Sequence, residues 1–422
     1  MKLLIKSAKI IDPNSPHNGA TKDILIDEGI IVKIASEIPK PPRADEFSCE
    51  RLKVSPGWFD MRVNFRDPGF EHKEDLISGC NAAAAGGFTG VAVMPSTFPP
   101  VQTKGIVEYI KIKTENHLVS VYPIGCLSIH PDRKLMAEMY DMKLAGAVAF
   151  GDDKSSIPDS GLMIRAMLYA KNFDGLILSY ADDSSISANG MMNEGIQSTL
   201  LGLKGMPSIS EEIAISRDLT LAEYTGTRLH ISTVSSAKSV ELIRKAKAKG
   251  IRVTADVSIN NIAMEESMLE EFDSNYKVLP PLRTAKDVEA LKRGLKDGTI
   301  DAICSDHCPE NEEMKRREFD DASFGIIGLE TSFALANMHL RTHLSLEELI
   351  IKMAIAPRTL LDISVPIVGE GEMADLTLFD TENKWKLGKD QIKSKSRNTP
   401  FIDFPLKGKA VGVFNNGRFM KT

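Results

Sequence analysis

Between about Ser55 and Ile363 the chain repeats one pattern eight times: a short β-rich run, then a stretch with apolar residues at helical spacing. The β-rich runs are 58–64, 87–94, 117–125, 145–151, 174–180, 227–232, 250–257 and 300–305. Runs such as GFTGVAVM (87–94) and DGLILSY (174–180) are apolar almost throughout, as suits strands covered on both faces. The clearest helix is SAKSVELIRKAKAKG at 236–250, which closes on lysines and a glycine. Strict alternation calls for crossovers of a single hand. Eight such units predict an α/β fold, a parallel (β/α)8 barrel over 55–363.

The two ends read differently. Residues 1–54 contain KLLIKSAKII and DILIDEGIIVKIA, and residues 364–422 contain ADLTLFD and KAVGVFNNGRFM, all β-like with polar turns. Neither piece is long enough to bury a core alone. The expectation is one small β-sandwich domain built from 1–54 plus 364–422. At 422 residues the chain suits one large barrel with such a companion.

Composition narrows the partners. A net charge of −6 argues against nucleic acid or an acidic membrane surface, and no apolar run approaches the ~20 residues of a membrane span. MKLLIKSAKIIDPNSP carries lysines through its apolar part and reads as a strand, not a signal peptide. Five scattered cysteines, an odd number, suit reduced thiols in a cytoplasm.

Nine stretches carry a more specific signal: PGWFDMRVNFRDPG (56–69), VMPSTFP (93–99), AFGDD (149–153), NGMMNEG (189–195), LHISTVSSAKSVELI (229–243), KVLPPLR (277–283), ICSDHCPE (303–310), FGIIGLET (324–331) and KSRNTPF (395–401). In their order and spacing the chain resembles dihydroorotase, of the amidohydrolase superfamily, over nearly its whole length. The resemblance implies a site at the C-terminal ends of the barrel strands. There, one or two zinc ions would activate water. Two histidines on the first strand, a bridging group, two further histidines and a final aspartate would hold them.

Position by position, this sequence departs from that pattern. Arg62 and Asn64 occupy the first two histidine positions, and Tyr180 and Thr233 the other two. The bridging position is Asp153, and the last aspartate, which would also serve as the base, is kept as Asp306. Among positions that would meet substrate, Arg66, Phe324 and Gly325 keep the family residue, whereas Ser96, Leu279 and Glu310 do not. Catalytic zinc normally needs three protein ligands. An arginine, which cannot deprotonate, would bring a fixed charge into the same space. No family-type metal and no cofactor are therefore expected.

Two carboxylates left without a cation would repel, so Arg62 is expected to pair with Asp306, Asp153 or both. The resemblance, with these departures from it, implies three readings. The first is a non-catalytic protein of pyrimidine biosynthesis, a homo-oligomer or a partner of aspartate transcarbamoylase. The second is an active, zinc-dependent dihydroorotase or related cyclic-amide hydrolase, with Asp306 as base and Arg66 as substrate clamp. The third is a module binding a small anion through Arg62 and Arg66. Cys304, His307 and Cys308 cluster in sequence, and His130 lies near Cys126, but neither group shows a fourth ligand. His230 reads as a hydrogen-bonded core residue, and His72 reads equally as a surface residue or a ligand contact. The charged run NEEMKRREFDD (311–321) reads as a solvated segment.

Overall fold

A computed structural model describes residues 1–422. The barrel strands are Trp58–Val63, Phe88–Val93, Ser120–Gly125, Ala149–Phe150, Leu176–Ser179, Arg228–Ile231, Val253–Ser258 and Ala302–Cys304. They lie side by side in chain order, all parallel. Each falls on the run expected for it and is shorter, the seventh ending one residue beyond its run at Ser258. The fourth is cut to two residues because the helix Met139–Ala145 claims the start of AGAVAFG, and Gly146, at φ 112°, caps that helix.

Closure between the last and first strands rests on few contacts. Val63 bridges to His307, and the Asn64 amide donates to the His307 carbonyl at 2.8 Å. Below them the buried Asp60 carboxylate accepts from the backbone amides of Arg62 (3.0 Å) and Ser305 (2.8 Å), tying the two strands where no ladder joins them.

Alternation along the strands divides the core. Val91, Val93, Ile177, Leu229, Ile231 and Ile303 point outward into a 74-residue cluster under the helices. Phe59, Met61, Ala92, Met94, Leu176, Leu178, Ala302 and Cys304 point inward, part of an 11-residue plug inside the barrel. The sixth and seventh strands contribute nothing apolar to that plug. Their His230, Ser232 and Asp256 are buried polar residues instead. The first strand slips register between Asp60 and Val63, above which Arg62 and Asn64 reach into the barrel mouth.

The two ends meet in one mixed sheet. Lys53–Val54 pairs in parallel with Lys9–Ile10, and Lys53–Pro56 pairs antiparallel with Leu376–Phe379. The strands Lys2–Ile10, Thr21–Asp27, Ile30–Ala35, Asp45–Phe47, Leu376–Lys386, Pro405–Asn415 and Arg418–Lys421 complete it, with a 17-residue apolar core of their own. No helix is long and apolar enough to cross a membrane.

Candidate functional site

Arg62 is the centre of the barrel mouth. Its side chain is 1% exposed, and each guanidinium nitrogen has a partner. Nη2 donates to Asp153 Oδ1 at 2.7 Å, Nε to Asp306 Oδ1 at 3.1 Å, and Nη1 to Ser232 Oγ at 3.1 Å. Ser232 passes the contact on to Asp256 (3.0 Å), which lies 3.2 Å from His230 Nε2. The other oxygen of Asp306 accepts from Lys154 Nζ at 2.8 Å. The other oxygen of Asp153 accepts from Asn64 Nδ2 at 2.7 Å and from the Ser96 hydroxyl. Two cations therefore face two carboxylates.

Electrostatics follow from that arrangement. Burial alone would weaken the Arg62 charge, but the carboxylates of Asp153 and Asp306 more than offset it and hold the guanidinium protonated. Burial likewise pushes Asp153 up, while Arg62 and then Lys154 bring it below the usual carboxylate range. Asp60 has no such cation, and burial pushes its carboxyl up to about 7.

The second cluster surrounds Arg66. Its Nη2 donates to Glu310 Oε1 at 3.1 Å and to Cys308 Sγ at 3.0 Å, while Lys73 Nζ lies 2.7 Å from the other Glu310 oxygen. Glu310, at a position where the resemblance implies a histidine, puts a carboxylate of the chain itself against the arginine implied to hold a substrate carboxylate. Arg62 and Arg66 are thus each paired within the chain, Arg62 with Asp153 and Asp306, and Arg66 with a Glu310 that it shares with Lys73.

The remaining positions fall around a cavity of about 340 Å³ whose lining includes Arg66, Ser96, Asp153, Lys154, Cys308 and Phe324. Leu279 contributes its carbonyl, which accepts from Lys154 Nζ at 2.6 Å. Phe324 stacks under Lys277, 4.9 Å from ring centre to Nζ. Gly325, at φ 136°, leaves no room for a Cβ, which would sit 2.6 Å from the Cys308 carbonyl. Tyr180 and Thr233 are buried, Thr233 Oγ1 without a hydrogen-bond partner, and burial pushes the Tyr180 phenol up. Arg66, Asp153 and Asp306 all adopt positive φ (61°, 52° and 50°). Left-handed backbone at non-glycine residues costs on the order of 1–3 kcal/mol each and tends to mark functional sites.

The structure adds residues that the sequence did not single out. Lys154 is the second cation of the mouth; its place directly after Asp153 was the available signal. Ser232 and Asp256 extend the network inward. Asp152 joins Cys126 and His130 in the one group of His, Cys and acidic side chains whose donor atoms lie within reach of a shared ion. Cys304, His307 and Cys308 diverge: Cys304 lies in the inner plug, His307 near Glu74 (3.5 Å), and Cys308 beside Arg66. His230 is buried and bonds to Thr254 Oγ1 at 2.8 Å, while His72 is exposed. The charged run 311–321 is solvated over most of its charged side chains, Glu312, Glu313, Arg316, Arg317, Glu318, Asp320 and Asp321 being exposed, but it is anchored at two points. Lys315 is buried and donates to the carbonyls of Ser274, Ser323 and Gly325, and Lys277 holds those of Phe319 and Asp320.

A zinc ion does not fit the residues at Arg62, Asn64, Asp153, Tyr180, Thr233 and Asp306. Asp153 and Asp306 are the only strong anionic donors there, and their facing oxygens are taken by a guanidinium that stands where a cation would.

Comparison with known proteins gives a consistent lineage. A family model described as dihydro-orotase-like matches residues 51–239. A dihydroorotase of Ruminiclostridium cellulolyticum is 43% identical over 417 residues, covering 97% of this chain and 96% of the relative. One of Citrifermentans bemidjiense is 40% identical over 420 residues, 99% of each. Among solved structures, the L-hydantoinase (dihydropyrimidinase) of Arthrobacter aurescens superposes with a TM-score of 0.86 at 25% identity, covering 99% of this chain and 96% of that one.

Proposed function

The chain belongs to the dihydroorotase family, and from that premise we propose that it serves pyrimidine biosynthesis without hydrolysing dihydroorotate, as a structural or regulatory partner. The supporting observation is Arg62. A permanent cation bonded to Asp153 and Asp306 takes up the charge and lone pairs that a water-activating metal would need. Asp306, the implied base, accepts from Arg62 through one oxygen and from Lys154 through the other. Arg66, the implied clamp, is held by Glu310. The proposed partner is aspartate transcarbamoylase, and the proposed unit is a homo-oligomer of a barrel (55–363) with its terminal domain (1–54 plus 364–422).

A second reading, an active zinc-dependent dihydroorotase, is favoured by 40–43% identity over whole chains to relatives that carry that name. It requires Arg62 and Glu310 to leave their present partners before metal and substrate can enter. One experiment separates the two. Purified protein, with and without added zinc, is incubated with dihydroorotate, and N-carbamoyl-aspartate formation is followed. In parallel, the protein is co-sedimented with aspartate transcarbamoylase. The first reading expects no product and a joint complex. Zinc-dependent turnover establishes the second.

A further inference from the structure

Beside the Arg62 network, and sharing none of its residues, lies a second cluster with a different chemistry. Cys126 follows the third barrel strand directly, His130 lies four residues further along the same loop, and Asp152 follows the short fourth strand. One donor atom from each, Sγ, an imidazole nitrogen and a carboxylate oxygen, lies within 4.8 Å of the others. We propose that Cys126, His130 and Asp152 bind a thiophilic divalent metal ion of the zinc class.

Three observations support the assignment. His130 Nε2 is buried yet has no hydrogen-bond partner, and it faces Asp152 Oδ2 at 3.8 Å, too far for a hydrogen bond. An orphaned imidazole nitrogen beside a carboxylate is half of a coordination site. The Asp152 carboxylate is already oriented: Oδ1 accepts from the amides of Leu127 (2.8 Å) and Ser128 (3.1 Å), and Oδ2 from the Ser128 hydroxyl. That leaves a lone pair on Oδ2 for a metal, with the kind of outer support that ligating carboxylates usually have. Finally, all three residues line the 340 Å³ cavity, which supplies an open fourth position for water or an external ligand.

The donor set is chemically coherent. Thiolate, imidazole and carboxylate at bond lengths of roughly 2.0–2.3 Å place neighbouring donors about 3.5 Å apart in a tetrahedron. His130 and Asp152 stand near that spacing, and a contraction of about 1 Å brings in the remaining pairs. On binding, the Cys126 S–H bond breaks, its proton passes to solvent, and a sulfur–metal bond forms.

The test is a cobalt(II) titration of full-length protein first dialysed against chelator, followed by absorbance. The expected result is one Co²⁺ per chain, with a near-ultraviolet thiolate-to-cobalt charge-transfer band. Cys126→Ala abolishes the band. His130→Ala, at a partly exposed position, lowers the affinity by at least about tenfold. Cys308→Ala, which removes the other thiol lining the cavity, leaves band and stoichiometry intact. No binding, binding without the band, a band that survives Cys126→Ala, or one lost with Cys308→Ala overturns the proposal.

Discussion

Replacing Arg62 with methionine removes the guanidinium while keeping most of the side-chain volume, and so isolates its charge. At an effective dielectric of ~20, contacts of 2.7 Å to Asp153 and 3.1 Å to Asp306 are worth about 6 and 5 kcal/mol of gross attraction. Most of that sum is offset by burying three charges. The net loss expected on removing one member of such a cluster is about 3–5 kcal/mol. Asp306 keeps Lys154, so the uncompensated charge is mainly that of Asp153. Urea denaturation at pH 7 should therefore show Arg62→Met less stable by about 3–5 kcal/mol, a large share of a typical domain's 5–15 kcal/mol. Adding Asp153→Asn should recover about 2 kcal/mol, because the remaining Asp306–Lys154 pair is balanced. Arg62→Lys should not rescue, since one ammonium cannot span Asp153, Asp306 and Ser232. Asp153 is held below its ordinary range, so its contribution is complete above about pH 4 and lost as pH falls through the depressed value. Arg62→Met should flatten that acid limb. A loss under about 1 kcal/mol for Arg62→Met, or no recovery with Asp153→Asn, would refute the argument.

Glu310→Gln should free Arg66 and Lys73 for an external anion. With succinate at ten times its dissociation constant, the gain of about 1.4 kcal/mol raises Tm by about 1–2 °C, while the parent protein does not respond; equal shifts in both proteins would sink the idea that Glu310 fills the anion position. Asp60, pushed up to about 7 by burial, holds its proton in the folded chain across a range where the unfolded chain has lost it. Its contribution therefore declines as pH rises from about 4 to about 7, by at most on the order of 4 kcal/mol. Denaturation across that range should show a shallower decline for Asp60→Asn, and parallel curves for the two proteins would count against it. Gly325→Ala should destabilise by more than about 1 kcal/mol, since it strains a φ of 136° and drives a Cβ into the Cys308 carbonyl; an unchanged urea midpoint would argue against that close approach.

The barrel was legible because buried parallel strands need unbroken apolar runs and the helices between them need 3.6-residue spacing, both local properties. That Arg62 and Asn64 face the mouth came from the family frame of PGWFDMRVNFRDPG and not from alternation, which would turn both outward from the inward Phe59 and Met61; the register slip between Asp60 and Val63 brings them in. What stayed hidden depends on closure in three dimensions. Lys154 reaches Asp306 across 152 positions of chain, and Arg66 meets Glu310 across 244. Asp152 joins Cys126 only because the third and fourth strands are neighbours. In the segment 311–321 most charges meet solvent as their pattern suggests, but Lys315 is turned inward onto three carbonyls that no local pattern predicts.

The most direct test of the central claim is anomalous diffraction at the zinc edge from crystals of the unaltered protein equilibrated with zinc, which locates the metal rather than counting it. With Arg62 standing in for the ion, there should be no peak among Arg62, Asp153 and Asp306, whatever is found beside Cys126. A peak bonded to Asp306, with the Arg62 side chain swung out of the mouth, would contradict the account.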